Sequence, residues 1–291
     1  MDYGLCLPNF QSGASSEGIE AAADVAARVG WSTVWTTDHV LVPADAAGEY
    51  GQVYDAILTL AWVGARQPDL RLGTSVIVVP QRNAVVLAKE LASLDALSHG
   101  RVIAGVGVGW NEVEFGNLGM GDRFHARGAY LDETIRLWRH LWSGSTEPFH
   151  GRFHTIDDFV FGPLPAQGAD LPIVIGGRSG PALRRAGTLG DGYHSTSTSP
   201  AQYGERVASI REAAAAAGRP EPSFSARVRV DHDGDAGGYA FRGGADDMAA
   251  EVRAFAAAGV NHLALTFATT DPQMLVNRVE HFAREVVPLA G

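Results

Sequence analysis

The feature that most constrains the fold is a local pattern that recurs along the chain. An alanine-rich amphipathic segment ends at a glycine, and a short β-branched run with polar residues at its end follows; clear copies surround Gly30, Gly100, Gly190 and Gly259. A glycine after the last helical turn adopts the left-handed cap conformation at low cost, and an apolar β-branched run suits a strand buried on both faces. The pattern therefore predicts αβ units in series.

Eight strands are predicted, separated by helical stretches. They span residues 3–7, 33–36, 72–78, 102–106, 173–175, 193–195, 225–230 and 262–266. Eight such units in 291 residues favour a (β/α)8 TIM barrel, with a doubly wound open sheet as the alternative. We expect one domain over residues 1–291, with insertions at about 108–127 and 148–165 on the carboxyl-terminal rim, where barrel enzymes build their sites.

Composition excludes several classes of function. A formal charge of -10 disfavours nucleic acid as a partner. The single cysteine, Cys6, excludes a disulfide framework and a multi-cysteine metal site, and it suits a reducing cytosol. Residues 1–4 lack the start of an export signal, and no apolar run approaches the roughly 20 residues that span a bilayer, so we expect a cytoplasmic protein with no membrane partner. The only lysine, Lys89, falls in a predicted helix, which disfavours Schiff-base and P-loop chemistry.

Polar residues and glycines follow the predicted strands and should converge on one pocket. Asp38 and His39 place a titratable imidazole beside a carboxylate that could hold its charge or tautomer, although both could simply satisfy loop hydrogen bonds. Thr74 and Ser75 interrupt an apolar strand, which by itself indicates a bulge. His150 and His154 have metal-ligand spacing, but without a third ligand nearby we expect no metal site.

Two glycine-rich segments have the form of ligand cradles. Gly176, Gly177, Arg178 and Ser179 lie between a strand and a helix, so their backbone N–H groups and the arginine could bind an anion, unless this is a plain βα turn. The alternating glycines at 105, 107 and 109 leave one face of a strand end bare, where a planar ring could lie against the backbone.

These motifs together resemble the luciferase-like monooxygenase superfamily and, more narrowly, its branch that uses the deazaflavin coenzyme F420. The segments that carry the resemblance are 34–39, 73–76, 86–101, 105–112 and 172–192, in the family's order and over nearly the whole chain. The resemblance implies a barrel that binds a flavin-like ring at its carboxyl-terminal mouth. It also implies a homodimer.

The resemblance assigns roles to residues of this chain. It implies a cis peptide bond between Ser75 and Val76, beside Thr74, that supports the ring from behind. It implies a phosphate loop at Gly176, Gly177 and Arg178, and a role for His39 in proton transfer or cofactor contact. From the residues themselves we add Ser179 to the cofactor-binding loop and expect Asp38 to support His39. The residues implied to line the cofactor between these points are Gly107, Val108, Gly109, Trp110 and Asn111.

The leading hypothesis is an F420-dependent oxidoreductase that transfers a hydride between the deazaflavin and a small organic substrate. The alternative is an FMN-dependent monooxygenase on the same scaffold. Two further alternatives involve no redox chemistry: a phosphate-binding isomerase or lyase, and a protein that only stores or delivers F420. The sugar-phosphate dehydrogenases of the branch carry a catalytic glutamate where this chain has Trp110, and few charges are predicted at the mouth, so we expect an apolar or aromatic substrate face.

Overall fold

The computed structural model describes residues 1–11, 13–231 and 238–291. Within these ranges the strands are β1 (Asp2–Cys6), β2 (Thr33–Thr36), β3 (Arg71–Thr74), β4 (Ile77–Val78), β5 (Val102–Gly107), β6 (Phe149–His150), β7 (Thr155–Ile156), β8 (Ile173–Gly176), β9 (Gly192–Thr196), β10 (Ser223–Val230), β11 (Ala240–Phe241) and β12 (His262–Phe267).

The helices of the same ranges lie between the strands. They are α1 (Ser16–Arg28), α2 (Ala47–Tyr50), α3 (Ala56–Arg66), α4 (Ala84–Leu97), α5 (Glu112–Asn117), α6 (Arg127–Trp142), α7 (Gly180–Thr188), α8 (Pro200–Ala216), α9 (Ala245–Ala257), α10 (Pro272–His281) and α11 (Val287–Ala290). None of those described is long and apolar enough to cross a membrane.

The strands close into a parallel barrel. Its order is β1, β2, β3, β5, β8, β9, β10 and β12, and β12 pairs with β1 to complete the circle. The prediction of a (β/α)8 barrel is therefore confirmed, and the open-sheet alternative is wrong. Because all eight strands run the same way, their carboxyl ends and the loops that follow meet at one mouth.

The predicted strand 72–78 is the one whose course differs. It stops at Thr74, passes through a cis peptide bond between Ser75 and Val76, and resumes as the two-residue strand β4 beside β5. A run of apolar and β-branched residues predicts extended backbone but carries no signal for the cis bond.

One indole fills much of the barrel interior. Trp35 stacks on His194 with ring centroids 4.6 Å apart, and its Nε1 donates a 3.0 Å hydrogen bond to His262. Its volume requires glycine opposite, because a Cβ at Gly73 would lie 2.4 Å from the Trp35 ring. Burial lowers the pKa of His194 to about 3, so this inner layer is uncharged at neutral pH.

Both insertions form structure of their own, the first on the rim and the second beside α6, where Glu133 accepts the N–H groups of Arg152, Phe153 and His154. Residues 108–127 contain α5 and a 3-10 segment at Gly121–Ala126, which lead into α6. Residues 148–165 contain the antiparallel hairpin of β6 and β7. The first insertion covers one side of the barrel mouth and supplies residues to the cavity described next.

Candidate active site

A cavity of about 590 Å³ opens at the carboxyl-terminal mouth of the barrel. It brings together most of the residues that the sequence singled out, from the ends of the four strands β2, β3, β5 and β8. The predicted residues in its wall are Asp38, His39, Ser75, Val76, Gly107, Val108, Gly109, Trp110, Gly176, Gly177 and Ser179.

The cis bond between Ser75 and Val76 forms the floor on one side. The Ser75 N–H donates to the Thr36 carbonyl at 2.7 Å, and the Ser75 hydroxyl bonds His194 Nε2 at 2.8 Å. His194 bonds Ser225 through its other ring nitrogen at 2.7 Å. Side chains of the barrel interior therefore hold the segment at Ser75 and Val76 from below, and Val76 lines the cavity.

Bare backbone continues this floor. A Cβ at Gly107 would lie 2.6 Å from Val76 Cγ2, and one at Gly176 would lie 2.9 Å from Val76 Cγ1. Larger residues at either position would push Val76 into the cavity. The wall is thus shaped to leave room for a flat group lying against Val76.

The loop after β8 forms an anion cradle. Gly177 has a φ of 117°, a conformation that favours glycine, and Ser179 caps α7 by accepting the Ala182 N–H. The amino-terminal end of a helix attracts negative charge through its free N–H groups and dipole. Both Gly177 and Ser179 line the cavity.

The arginine of this cradle is not the one predicted. Arg178 is exposed and does not line the cavity, whereas Arg127 and Arg185 do. Arg185 is bound by Asp132 and by the Gly128 carbonyl. Arg127 Nη1 donates to the Phe124 carbonyl at 2.5 Å, and its Nε is buried without a hydrogen-bond partner among the described residues. Because protein atoms cover that Nε, any polar contact of Arg127 with the cavity is made through its terminal nitrogens.

His39 is held by a carboxylate that the sequence analysis missed. Its Nδ1 lies 2.9 Å from Oε2 of Glu114, and the other oxygen of Glu114 accepts the N–H groups of Val40 at 2.8 Å and Leu41 at 3.2 Å. The side chains of His39 and Glu114 are only 8 % and 1 % exposed. Because Nδ1 is engaged, Nε2 is the ring nitrogen left for a ligand.

The charge of Glu114 is fixed by these donors. Burial raises its pKa, but the His39 imidazole and the Val40 N–H outweigh burial and lower the pKa to about 2. Glu114 is therefore ionised at neutral pH and favours a proton on His39 Nδ1. The only sequence signal was the Asn111-x-x-Glu114 spacing, which is typical of a helix start rather than of a site.

Asp38 does not support His39, which corrects the sequence prediction. Its carboxylate accepts the Val78 N–H at 2.9 Å and pairs with Arg82 at 2.6 Å, and Arg82 also pairs with Asp55 at 3.1 Å. Adjacent residues on an extended segment point in opposite directions, so a carboxylate next to His39 in sequence reaches other partners. Asp38 instead fixes the segment that follows the cis bond.

Two further predicted residues have structural roles outside the cavity wall. The Thr74 hydroxyl donates to the Gly105 carbonyl at 2.6 Å. Asn111 caps α5, accepting the Glu114 N–H at 3.1 Å. In the described residues no three His, Cys, Asp or Glu side chains are grouped as a metal site requires.

The expectation of few charges at the mouth was wrong. Arg227 and Arg229 of β10 both line the cavity. Their alternation on the predicted strand 225–230 places both on one face, and this signal could have been used. Phe10, Tyr50 and Trp110 also lie in the wall, and Trp110 is 58 % exposed, so the aromatic substrate face stays a prediction.

The family model for luciferase-like monooxygenases matches residues 1–236, and the chain belongs to this family. A curated relative, the F420-dependent glucose-6-phosphate dehydrogenase of Mycolicibacterium smegmatis, is 34 % identical over 184 residues, which are 60 % of this chain and 54 % of the relative. The F420-dependent glucose-6-phosphate dehydrogenase of Mycobacterium tuberculosis (strain H37Rv) is 35 % identical over 184 residues, which are 60 % of this chain and 54 % of the relative. This chain thus spans about half the length of these relatives.

Solved structures share the fold. An F420-dependent secondary alcohol dehydrogenase, solved with an F420-acetone adduct, matches with a TM-score of 0.85 at 20 % identity, covering 100 % of this chain and 99 % of the other. A monooxygenase from Streptomyces bottropensis matches with a TM-score of 0.83 at 21 % identity and covers all of both chains. At this identity the likeness establishes the architecture.

Proposed function

We propose that this protein is an F420-dependent oxidoreductase that transfers a hydride between the deazaflavin and a small organic substrate. The observation that carries the proposal is the continuity of one cavity. It joins the anion cradle at Gly177 and Ser179 to the bare floor at Val76 and Gly107, and it ends at His39. The F420-dependent relatives at 34–35 % identity support the choice of cofactor.

The residues present fit that group. Arg127, which lines the cavity, and the amino-terminal end of α7 would hold a phosphate. Val76, Gly107 and Gly109 would lie against a planar ring, because side chains at either glycine would collide with Val76 or Val78. When bound, F420 supplies or accepts the hydride.

The chain's own residues position the cofactor and substrate, and His39 transfers one proton. Glu114 holds His39 with the proton on Nδ1, so Nε2 faces a ligand as the group that accepts or, once the ring is protonated, donates a proton. Tyr50 and Trp110 flank the imidazole, with ring centroids 4.2 Å and 6.1 Å from it, and they restrict water around it. His39 is therefore the catalytic residue of this proposal, and Glu114 its positioning residue.

Calorimetric titration with oxidised F420 and, separately, FMN tests the proposal. We expect micromolar or tighter binding of F420, and at least about tenfold weaker binding of FMN. Binding of FMN alone would replace the proposal with a flavin-dependent monooxygenase. Binding of neither would refute the redox assignment and favour a phosphate-binding isomerase or lyase. The variant Arg284→Gln should bind F420 like the wild type, since this exposed arginine pairs only with Glu285 among the described residues.

We further propose a cytoplasmic homodimer that acts on a small molecule and requires neither nucleic acid nor membrane. Leu58 is 72 % exposed on α3, Trp62 follows one helical turn later, and Val86 is exposed on the adjacent helix α4. Such an apolar face favours association. Light scattering should give twice the chain mass for the wild type and a smaller mass for Leu58→Glu; a wild-type monomer would refute the dimer.

A further inference from the structure

Two arginines face the barrel mouth from β10, and neither has a carboxylate partner among the residues that the structure describes. Arg227 Nη1 donates to the Thr37 hydroxyl at 2.9 Å and to the Ser75 carbonyl at 3.1 Å, and its Nε donates to the Thr266 hydroxyl at 3.3 Å. These partners are neutral. The guanidinium is therefore fixed in direction, and no described carboxylate pairs with its charge.

Arg229 lies one layer higher. In the register of the barrel, Arg227 pairs with Thr196, the last residue of β9, so Arg229 extends past the end of that strand to the rim. It is half-buried and lines the cavity. Over residues 1–11, 13–231 and 238–291, its guanidinium makes no hydrogen bond and no ion pair. A half-buried guanidinium with free donors is suited to bidentate binding of a carboxylate.

This position is separate from the phosphate cradle. The cradle follows β8, and Arg229 belongs to β10, with β9 between them. Neighbouring strands are about 4.8 Å apart, so the two positions are separated by about 10 Å across the sheet. Arg229 therefore offers a second position for an anion, on a different strand of the same mouth.

An aromatic wall lies beside the arginines. The Arg227 guanidinium stands over the Phe10 ring, 5.1 Å from its centroid, and Phe10 stacks on Tyr50 at 6.2 Å. Tyr50 in turn contacts His39 and faces Trp110 at 6.3 Å. The wall thus runs from Arg227 to the imidazole, and Arg229, one layer above Arg227, lines the same cavity. A planar ligand lying along the wall would have one end on the side of the arginines and the other at His39.

We propose that Arg229 binds the carboxylate of the substrate, and that the substrate is an aromatic or conjugated carboxylic acid whose C=O or C=C bond is reduced at the end near His39. This inference rests on the proposed F420 function. In that reduction the substrate gains a hydride, with its two electrons, from reduced F420 and a proton by way of His39. The cofactor is oxidised because it loses those two electrons with the hydride. The reverse reaction oxidises the matching alcohol or alkane.

Benzoate and the neutral benzamide, which have nearly the same shape, are the probes. Both are titrated into the protein saturated with oxidised F420, for the wild type, Arg229→Gln, Arg229→Lys and the control Arg284→Gln. We expect the wild type and the control to prefer benzoate by about tenfold, because one charge-assisted bidentate contact distinguishes the two probes. Arg229→Gln should remove the preference and Arg229→Lys should restore part of it, while F420 affinity stays within about twofold.

Equal affinity for the two probes in the wild type would overturn the proposal. So would an Arg229→Gln variant that keeps the benzoate preference, or one that loses F420 affinity by about tenfold or more, since the anion at Arg229 would then be part of the cofactor. Failure of the proposed function has a different signature. If F420 does not bind, the same titrations on the unloaded protein still measure the preference for benzoate, and an Arg229-dependent preference would show the anion position alone.

Discussion

Replacing Glu114 with glutamine should destabilise the protein and do so in a pH-dependent way. A carboxyl whose pKa falls from 4.5 to about 2 on folding is stabilised in its ionised form by about 3 kcal/mol. The neutral amide cannot recover this energy, because one of its two terminal atoms is a donor that would face the N–H groups of Val40 and Leu41 or the Nδ1–H of His39.

The sign of the pH dependence follows from the lowered pKa. The contribution of Glu114 is fully present above about pH 4.5 and is lost as the pH falls towards 2. The difference in unfolding free energy between wild type and Glu114→Gln should therefore be about 3 kcal/mol at pH 7 and shrink to about 2 kcal/mol at pH 3.5. Urea denaturation at a series of pH values measures it.

Glu112→Gln is the matched control, because this glutamate is exposed on the same helix and contacts only His125, at 3.6 Å, among the described residues. It should change stability by less than about 0.5 kcal/mol at any pH. A Glu114→Gln difference below about 1 kcal/mol, or one that does not change between pH 7 and 3.5, would refute the argument that buried donors fix this charge.

Three further outcomes follow from the site. Arg82→Gln should lower the free energy of unfolding, measured in urea, by about 3–5 kcal/mol, because it leaves buried Asp38 without its partner. The control Arg66→Gln breaks an exposed ion pair and should lower it by under about 1 kcal/mol; equal losses would contradict this reasoning. Gly177→Ala should weaken F420 binding by about tenfold or more in calorimetry, because its φ of 117° disfavours any side chain; unchanged affinity would remove the loop from the cofactor site. His39→Asn should keep F420 affinity within about threefold yet lower turnover by about a hundredfold or more, and full turnover would exclude His39 as the proton-transfer group.

The barrel could be predicted from the sequence because its signals are local. Each repeat of helix, glycine and β-branched strand is specified within about 25 residues, as at Gly30 and Gly100. Most of the predicted site residues lie in the cavity wall, because residues that follow parallel strands necessarily meet at one mouth. Gly107 and Gly177 were found in this way.

The partners of the site's charged groups could not be predicted in the same way. His39 contacts Glu114, 75 positions away, while its neighbour Asp38 bonds Arg82. Which of two carboxylates reaches an imidazole depends on how the rim insertion packs over the barrel, and that is a tertiary property. For the same reason Arg127, at the start of α6, lines the cavity while Arg178 does not.

The central claim is that one cavity holds F420 with its phosphate at the cradle and its ring on the floor. A crystal structure of the complex with oxidised F420 tests it most directly. We expect the phosphate within hydrogen-bond distance of Arg127 and of the N–H groups at Gly177 and Ser179. We expect the ring to lie against Val76 and Gly107, with His39 Nε2 facing the ring or the space above it. A phosphate bound at Arg229, or a ring held away from Val76, would contradict it.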